Sequence, residues 1–492
     1  MRTSSKGLLV SWMVLLAALL TANVSNATEF HVRPTADCSV SGDGSSTACA
    51  SSAGGAGAFR GFSGVTWAPI QPGDTLFVIG QHNEQLIVGK SGTAQLSITI
   101  RGDKRGAAAG RINGGNTISF CVSDNNNRYL TFLNMEVSNC LNRGFHFDNG
   151  RGVSTVNPSG VVISNVNVHD IAGGTSFPTC IWGYGHDVLI QNSRIANCGD
   201  DGIWWTGSYV KVINNVISGV GIGPEETGDC VQLAGGATQY IVKKNHCDHL
   251  ASNEKQCFNT ATTVGYAYDP AAGGQVVENT CVMPPYDGVH STEGIVADQP
   301  KAIIARNFVT GARYGIYSYS PYVIGNVVTQ FAKRGIQLFG RADTPAVVIN
   351  NTVLAVSGEN QLVAPEACIL VQDGAGQIAN NIVSGCNWGM AAFGYSANNW
   401  EHNLSWQNTT DYHFGGPSNG DTMGTIIHAN PGFLGTDPNN PYALGISTAV
   451  PGTDISSYTN PLYGAGPFRF DYNKNPRPTS APAIGAFEVG SQ

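Results

Sequence analysis

Residues 198–219 read CGDDGIWWTGSYVKVINNVISG, and this stretch holds both phrases from which most of the chain is built. Its later half contains KVINN, an apolar run closed by Asn215. The same phrase recurs as LTFLN ending at Asn134, VVISN at Asn165, VLIQN at Asn192, IVKKN at Asn245, QVVEN at Asn279, IIARN at Asn307, YVIGN at Asn326, VVINN at Asn351 and QIANN at Asn381. Successive asparagines stand 19 to 34 residues apart, which excludes a heptad and the fixed periods of helical repeats. Its earlier half sets a small residue before a large apolar one, Gly202-Ile203. Between the asparagines that pattern returns as Gly144-Phe145, Cys180-Ile181, Cys230-Val231, Cys257-Phe258, Gly294-Ile295, Gly315-Ile316, Gly335-Ile336, Cys368-Ile369 and Gly389-Met390.

Two short β-rich phrases per irregular period are what one coil of a β-solenoid requires. Each strand pairs with its equivalents in the coils above and below, and the apolar residues stack into one interior. Asparagine amides on successive coils would bond one another and satisfy turn groups otherwise left orphaned. The variable period is then loop insertion. A β-sandwich has no reason to keep such paired phrases in phase.

The 492 residues are 42% hydrophobic and 12% charged, with mean hydropathy of −0.06. That composition excludes a polytopic membrane protein and a wholly disordered chain. With 26 Lys+Arg against 34 Asp+Glu and a formal charge of −8, a general nucleic-acid binder is disfavoured. Arg2 and Lys6 precede the apolar run Leu8 to Leu20 and a small-x-small site, Ser25-Asn26-Ala27, the pattern of an export signal cleaved before Thr28. The mature protein is therefore expected to be secreted or periplasmic, without a membrane span, and monomeric. All 12 cysteines follow that site and none forms a CxxC pair, which points to disulfides rather than zinc.

GDTLFVIGQHNEQLIVGKSGTAQLSITIRG, Gly73 to Gly102, resembles the opening coils of secreted bacterial polysaccharide lyases, and DYNKNPRPTSAPAIGAFE, Asp471 to Glu488, resembles the closing segment of many secreted β-helix proteins. With the repeat, these identify the chain as similar to the right-handed parallel β-helix superfamily, the pectate-lyase-like fold. The resemblance supplies the handedness. The expected organisation is a signal peptide over 1–27, an N-terminal cap over 28–59, a three-faced all-β parallel β-helix over 60–430 and a loop-rich tail over 431–492. Disulfides within coils are expected as Cys38–Cys49, Cys121–Cys140, Cys180–Cys198, Cys230–Cys247, Cys257–Cys281 and Cys368–Cys386. Spacing also leaves Cys230 and Cys257 as neighbours on adjacent coils.

Aligning the second phrase coil by coil maps one face. Before the small residue stand Arg143, Thr179, Asp201, Asp229, Gln256, Glu293, Tyr314 and Arg334; two places after it stand His146, Trp182, Trp204, Gln232, Asn259, Val296, Tyr317 and Gln337. With coils about 4.8 Å apart, acids, a lysine and an arginine converge on one stripe. The functional reading is a groove for an acidic polysaccharide. Asp200, Asp201 and Asp229 would hold calcium, and Trp182 and Trp204 would offer flat surfaces to sugar rings beside Gln232, Gln256 and Glu293. Lys255 would act as general base on the proton α to a uronate carboxylate, with Arg313 steadying the developing charge.

GDDGIWW at 199–205, GDC at 228–230 and EKQ at 254–256 look like the arrangement of calcium-dependent β-helix lyases, which implies cleavage by β-elimination. Asp before Gly is also a favoured turn residue, so these aspartates have a purely structural reading as caps. An inverting hydrolase would use two carboxylates on neighbouring coils. The Asn-Thr-Asp, Gly-His-Gly and Arg-Ile-Lys of galacturonan hydrolases are missing, Gly185-His186 being followed by Asp187. The Asp-Pro-His-Asp of alginate epimerases is missing as well, and a carbohydrate-binding adhesin would show an Asn/Ser-lined stripe in place of these charges.

Overall fold

The computed structural model describes residues 27–148, 159–175, 177–223, 228–235, 237–248, 255–260, 272–284, 286, 288, 291–340, 345–355, 365–415, 422–435, 437–446, 450, 452, 469–478 and 482–488. Residues 1–26, where the export-signal pattern was read, lie outside them. Each coil contributes three strands, as a three-faced helix requires, although only two recurring phrases mark it in the sequence: Ile203–Thr206, Val210–Ile213 and Val216–Ser218 form one full turn. We call the three stacks the first, second and third faces. All their pairings are parallel, and among the described residues the third face alone stacks fourteen strands, from Gln81–His82 to Ile426–Ile427. The strand of the third face is only three residues long in most coils, and it follows the phrase asparagine directly.

Inward-facing residues of all three faces merge into one apolar column running from Phe30 to Trp400. The small residue of the second phrase sits where the first and third faces meet. A Cβ on Gly315 would stand 2.3 Å from Val328 Cγ1 across that corner, so only glycine fits there opposite valine. Cysteine is the other solution. In register with Val309 and Val328, the third face carries Cys247 and Cys281, bonded to Cys230 and Cys257 in place of the glycine–valine pair. All six disulfides pair as expected, and no cysteine is free. The exchange predicts that Gly315→Cys with Val328→Cys forms a seventh bridge. The unreduced, unfolded double variant should titrate no thiol and should be stabilised by about 3 kcal/mol for a loop of this length; two reactive thiols would refute the corner geometry.

The asparagines fall into two ladders, where the sequence suggested one. Asn134, Asn165, Asn192 and Asn214 end second-face strands with φ between 51° and 56°, and Asn165 and Asn214 bond Asn134 and Asn192 on the surface. One position later, Asn215, Asn245, Asn279, Asn307, Asn326, Asn351, Asn381 and Asn403 are buried. There each Oδ1 accepts the backbone N–H and the amide of the asparagine before it, at 2.9–3.1 Å. The three earliest phrases thus align one residue off, because their asparagines serve a left-handed turn that asparagine tolerates, not the buried column.

Stacking begins before position 60: Glu29–Arg33 already pairs parallel with Thr75–Val78. After the last coils the chain returns along the outside. Ala486 N donates to Thr352 Oγ1, Asn350 Nδ2 donates to Ala483 O, and Phe433, Leu444 and Phe487 cover Phe308 and Val327. Among the described residues no helix is long and apolar enough to cross a membrane.

Candidate active site

The first face holds the stripe expected from the alignment. Arg143 pairs with Thr179, Gln256 with Glu293, Glu293 with Tyr314, and Tyr314 with Arg334. The outward series runs in register from His146 through Trp182, Trp204, Gln232, Asn259, Val296 and Tyr317 to Gln337. Over its early coils a cleft of about 540 Å³ opens, lined by Arg143, Thr179, Trp182, Tyr184, Asp200, Asp201, Trp204, Asp229, Gln232 and Gln256.

Asp200, Asp201 and Asp229 form its floor, each under 8% exposed. Asp201 Oδ1 accepts the backbone N–H of Asp229 at 2.7 Å, and Asp229 Oδ1 accepts that of Gln256 at 2.9 Å. Each carboxylate therefore caps the start of the next coil, as the structural reading of Asp before Gly required, but with one oxygen only. Asp229 Oδ2 takes the Asn259 amide at 3.0 Å, and Asp201 Oδ2 has no protein donor among the described residues. Burial pushes the Asp229 carboxyl up to about 7, against the pull of its donors and with help from Asp200 and Glu293. Burial, then the charges of Asp200 and Asp229, raise Asp201 well above the usual carboxylate range. Both carboxyls therefore hold a proton to higher pH than a solvated carboxyl does.

Arg143 is the cation of the cleft. It was legible in the stripe as the residue before Gly144, yet it was not among the expected site residues. Its Nη1 donates to the carbonyls of Asn142 and Phe177, its Cζ lies 5.6 Å from the Trp182 ring, and burial lowers its pKa while Asp200 and Asp201 hold it up. The tryptophans are not the separate flat platforms anticipated. Phe120, His146, Trp182 and Trp204 stack on one another at 4.0, 4.7 and 5.3 Å between centroids, within 10° of parallel. Neighbouring coils bring equivalent rings to stacking distance, so the faces of Trp182 are covered and edges are presented to the cleft. Tyr184 packs edge-on against both tryptophans.

Farther along, Gln256 Nε2 donates to Glu293 Oε2 at 2.7 Å, and Ser291 Oγ donates to Oε1 at 2.6 Å, so Glu293 is tied into the wall. Arg313 lies outside the cleft, four coils from Asp201, with its Cζ 5.5 Å from the Tyr286 ring and 5.1 Å from that of Tyr314. The backbone of Lys255 pairs with Thr292, which puts it on the stripe one coil beyond Asp229; its side chain is not among the described parts, and Glu254 of the EKQ motif lies outside the described residues. Among the described residues no three His, Cys, Asp or Glu side chains are grouped to hold a metal ion. Asp201 Oδ1 and both Asp229 oxygens meet backbone or amide donors, while Asp201 Oδ2 stays open to the cleft side of the floor as an oxygen ligand or proton carrier.

A family model for a right handed beta helix region matches residues 151–353. No curated protein matches the chain. Similar solved structures include XylC in complex with xylose, 10% identical, covering 94% of this chain and 98% of that one with a TM-score of 0.47. Pectate lyase Pel9A is 13% identical over 94% of this chain and 97% of its own, with a TM-score of 0.33. A GH136 lacto-N-biosidase from Eubacterium ramulus is 12% identical over 84% and 70%, with a TM-score of 0.37. Likenesses at these scores carry no argument about activity.

Proposed function

We propose that this right-handed parallel β-helix protein is a secreted or periplasmic carbohydrate-active enzyme that cleaves a polysaccharide at the Asp200–Asp201–Asp229 cleft. The observation carrying this reading is a buried carboxyl held up to about 7 beside a second raised carboxyl, on the floor of an aromatic-edged cleft. A carboxyl that keeps its proton near neutral pH can hand it to a glycosidic oxygen as the C1–O bond breaks; a neighbouring carboxyl, once ionised, can take a proton from the water that attacks C1. One proton enters the leaving sugar, one leaves the water, and the pair returns to its starting charge. Trp204, Tyr184 and Gln232 line the sugar's path, and the six disulfides suit an oxidising compartment.

β-Elimination from a uronate polymer is the second reading, favoured by Arg143 in the same cleft, a cation able to hold the substrate carboxylate. Lys255 would be its base and calcium its electrophile. Two assays on one panel of neutral and acidic polysaccharides separate the readings. Hydrolysis releases reducing ends without ultraviolet-absorbing product, needs the proton on the raised carboxyl, and should decline as pH rises through about 7. Elimination yields an absorbing unsaturated uronate, needs a deprotonated base, should gain with rising pH, and should be abolished by Lys255→Ala. Calcium is tested by an EDTA arm, with no loss expected for hydrolysis. An absorbing product lost to EDTA would overturn the hydrolytic reading.

A further inference from the structure

The stripe that carries Asp229, Gln256 and Glu293 does not stop at the cleft. It continues in register through Tyr314, Arg334 and Ala367 to Trp388 and Thr410. A second cleft of about 440 Å³ opens on this same edge, with Lys333, Glu366, Trp388 and Thr410 in its lining. Along the edge the sign of charge changes. Glu366 is already matched by Arg334, which holds both its oxygens through Nε and Nη2 at 2.8–3.1 Å, while Lys333 Nζ stands 4.0 Å away. Arg313 has no acidic partner within ion-pair distance among the described residues, and it, Lys333 and Arg334 all gather around the Tyr314 ring at 5.1–6.0 Å. Three cations thus face one carboxylate beside aromatic walls, an excess of positive charge on this stretch of the edge.

We propose that Arg313 and Lys333, with Trp388 beyond them, form a distal subsite for the anionic groups of the polysaccharide cut at Asp201–Asp229. The inference rests on the proposed function and gives it a substrate class, a polymer bearing carboxylate or sulfate groups. Lys333 stands four coils from Asp229, roughly 19 Å at the usual strand spacing. Each pyranose ring advances a polymer by about one strand spacing, so a chain of about four or more rings lying along the solenoid reaches both places. The charge step orients it: Arg143 lowers repulsion at the acidic floor, and the excess positive charge of Arg313, Lys333 and Arg334 over Glu366 draws the anionic chain toward the later coils.

The test uses Asp229→Asn protein, or Asp201→Asn if the first fails to fold, so that binding is read without turnover. Dissociation constants are measured for polygalacturonate, alginate and heparan sulfate, with xylan as the neutral control, at low and high salt. One or more anionic polymers should bind more tightly than xylan. Adding Arg313→Gln and Lys333→Gln should weaken that binding about tenfold or more, with the difference closing at high salt and xylan unchanged. Arg313→Lys with Lys333→Arg should keep most of it. Equal binding by parent and double variant, equal loss on xylan, or no anionic polymer bound at all would overturn the subsite. Salt-sensitive binding in a protein that cleaves nothing would overturn the proposed function and leave the subsite standing.

Discussion

Asp229→Asn is expected to lower polysaccharide turnover by about 10²–10⁴-fold, the usual range for losing a positioned proton donor or acceptor, while leaving a protein that is no less stable at pH 8. The two halves of that result have one cause. The Asp229 carboxyl is raised by burial to about 7, so the folded state binds its proton more tightly than the unfolded chain does. Stability from this group is therefore fully present below the unfolded pKa of about 3.9 and is lost as pH rises toward the folded value, with an upper limit of about 4 kcal/mol. Asparagine never ionises, and its amide oxygen still accepts from Gln256 N; the bond from the Asn259 amide is lost unless Asn259 turns, a cost of about 1 kcal/mol set against the larger relief of the buried charge. At pH 8 the variant should melt at or above the parent's temperature, and at pH 4 the two should converge. Activity retained together with a lower melting temperature at pH 8 would reduce Asp229 to a turn cap.

The architecture was legible because a solenoid repeats its physics. Each coil must present an apolar strand, a tight corner and a satisfied turn, so the small–large phrase and the asparagine recur wherever the chain passes those points. The disulfides were legible for the same reason: cysteine occupies the corner otherwise taken by glycine. The third strand left no phrase of its own and entered only through the resemblance to three-faced helices, since three residues following an asparagine carry too little alternation to register. The two asparagine ladders looked like one because both positions end the same phrase, and only the turn's left-handed backbone separates Asn192 from Asn215.

For the site, alignment found the correct line but not the distances along it. Asp201, Asp229 and Gln256 are consecutive on the stripe and meet, whereas Arg313 shares the line and stands four coils off. Residue types put three carboxylates together; the backbone donors on Asp201 and Asp229 are visible only once the coils are stacked. Trp182 and Trp204 were correctly put on the same face, yet the spacing that makes them neighbours also makes them cover each other.

The buried ladder should dominate stability. Asn307 is fully buried; its Oδ1 accepts Asn279 N and Nδ2, both at 3.0 Å, and its Nδ2 donates to Val276 O at 2.8 Å and to Asn326 Oδ1 at 3.0 Å. Alanine at this position leaves the two Asn279 donors and the Val276 carbonyl without those partners, in a column that water does not reach. At about 1–3 kcal/mol for each unmet buried group, Asn307→Ala should cost about 4 kcal/mol or more. Asn307→Asp keeps the acceptor, loses the donor and buries a charge, so its loss should be as large at pH 8 and should ease on acidification as the carboxyl takes up a proton. Asn192→Ala on the exposed ladder removes one surface bond and a residue suited to a φ of 51°, for a cost of about 1–2 kcal/mol. Denaturant melts of the three variants decide the matter. A solenoid opens from whichever coils are weakest, so Asn307→Ala should also split the transition, with coils on one side of Asn307 unfolding first. Equal, small losses for Asn307→Ala and Asn192→Ala would mean that the interior column is ornament, and that stacking of the apolar faces alone holds the coils together.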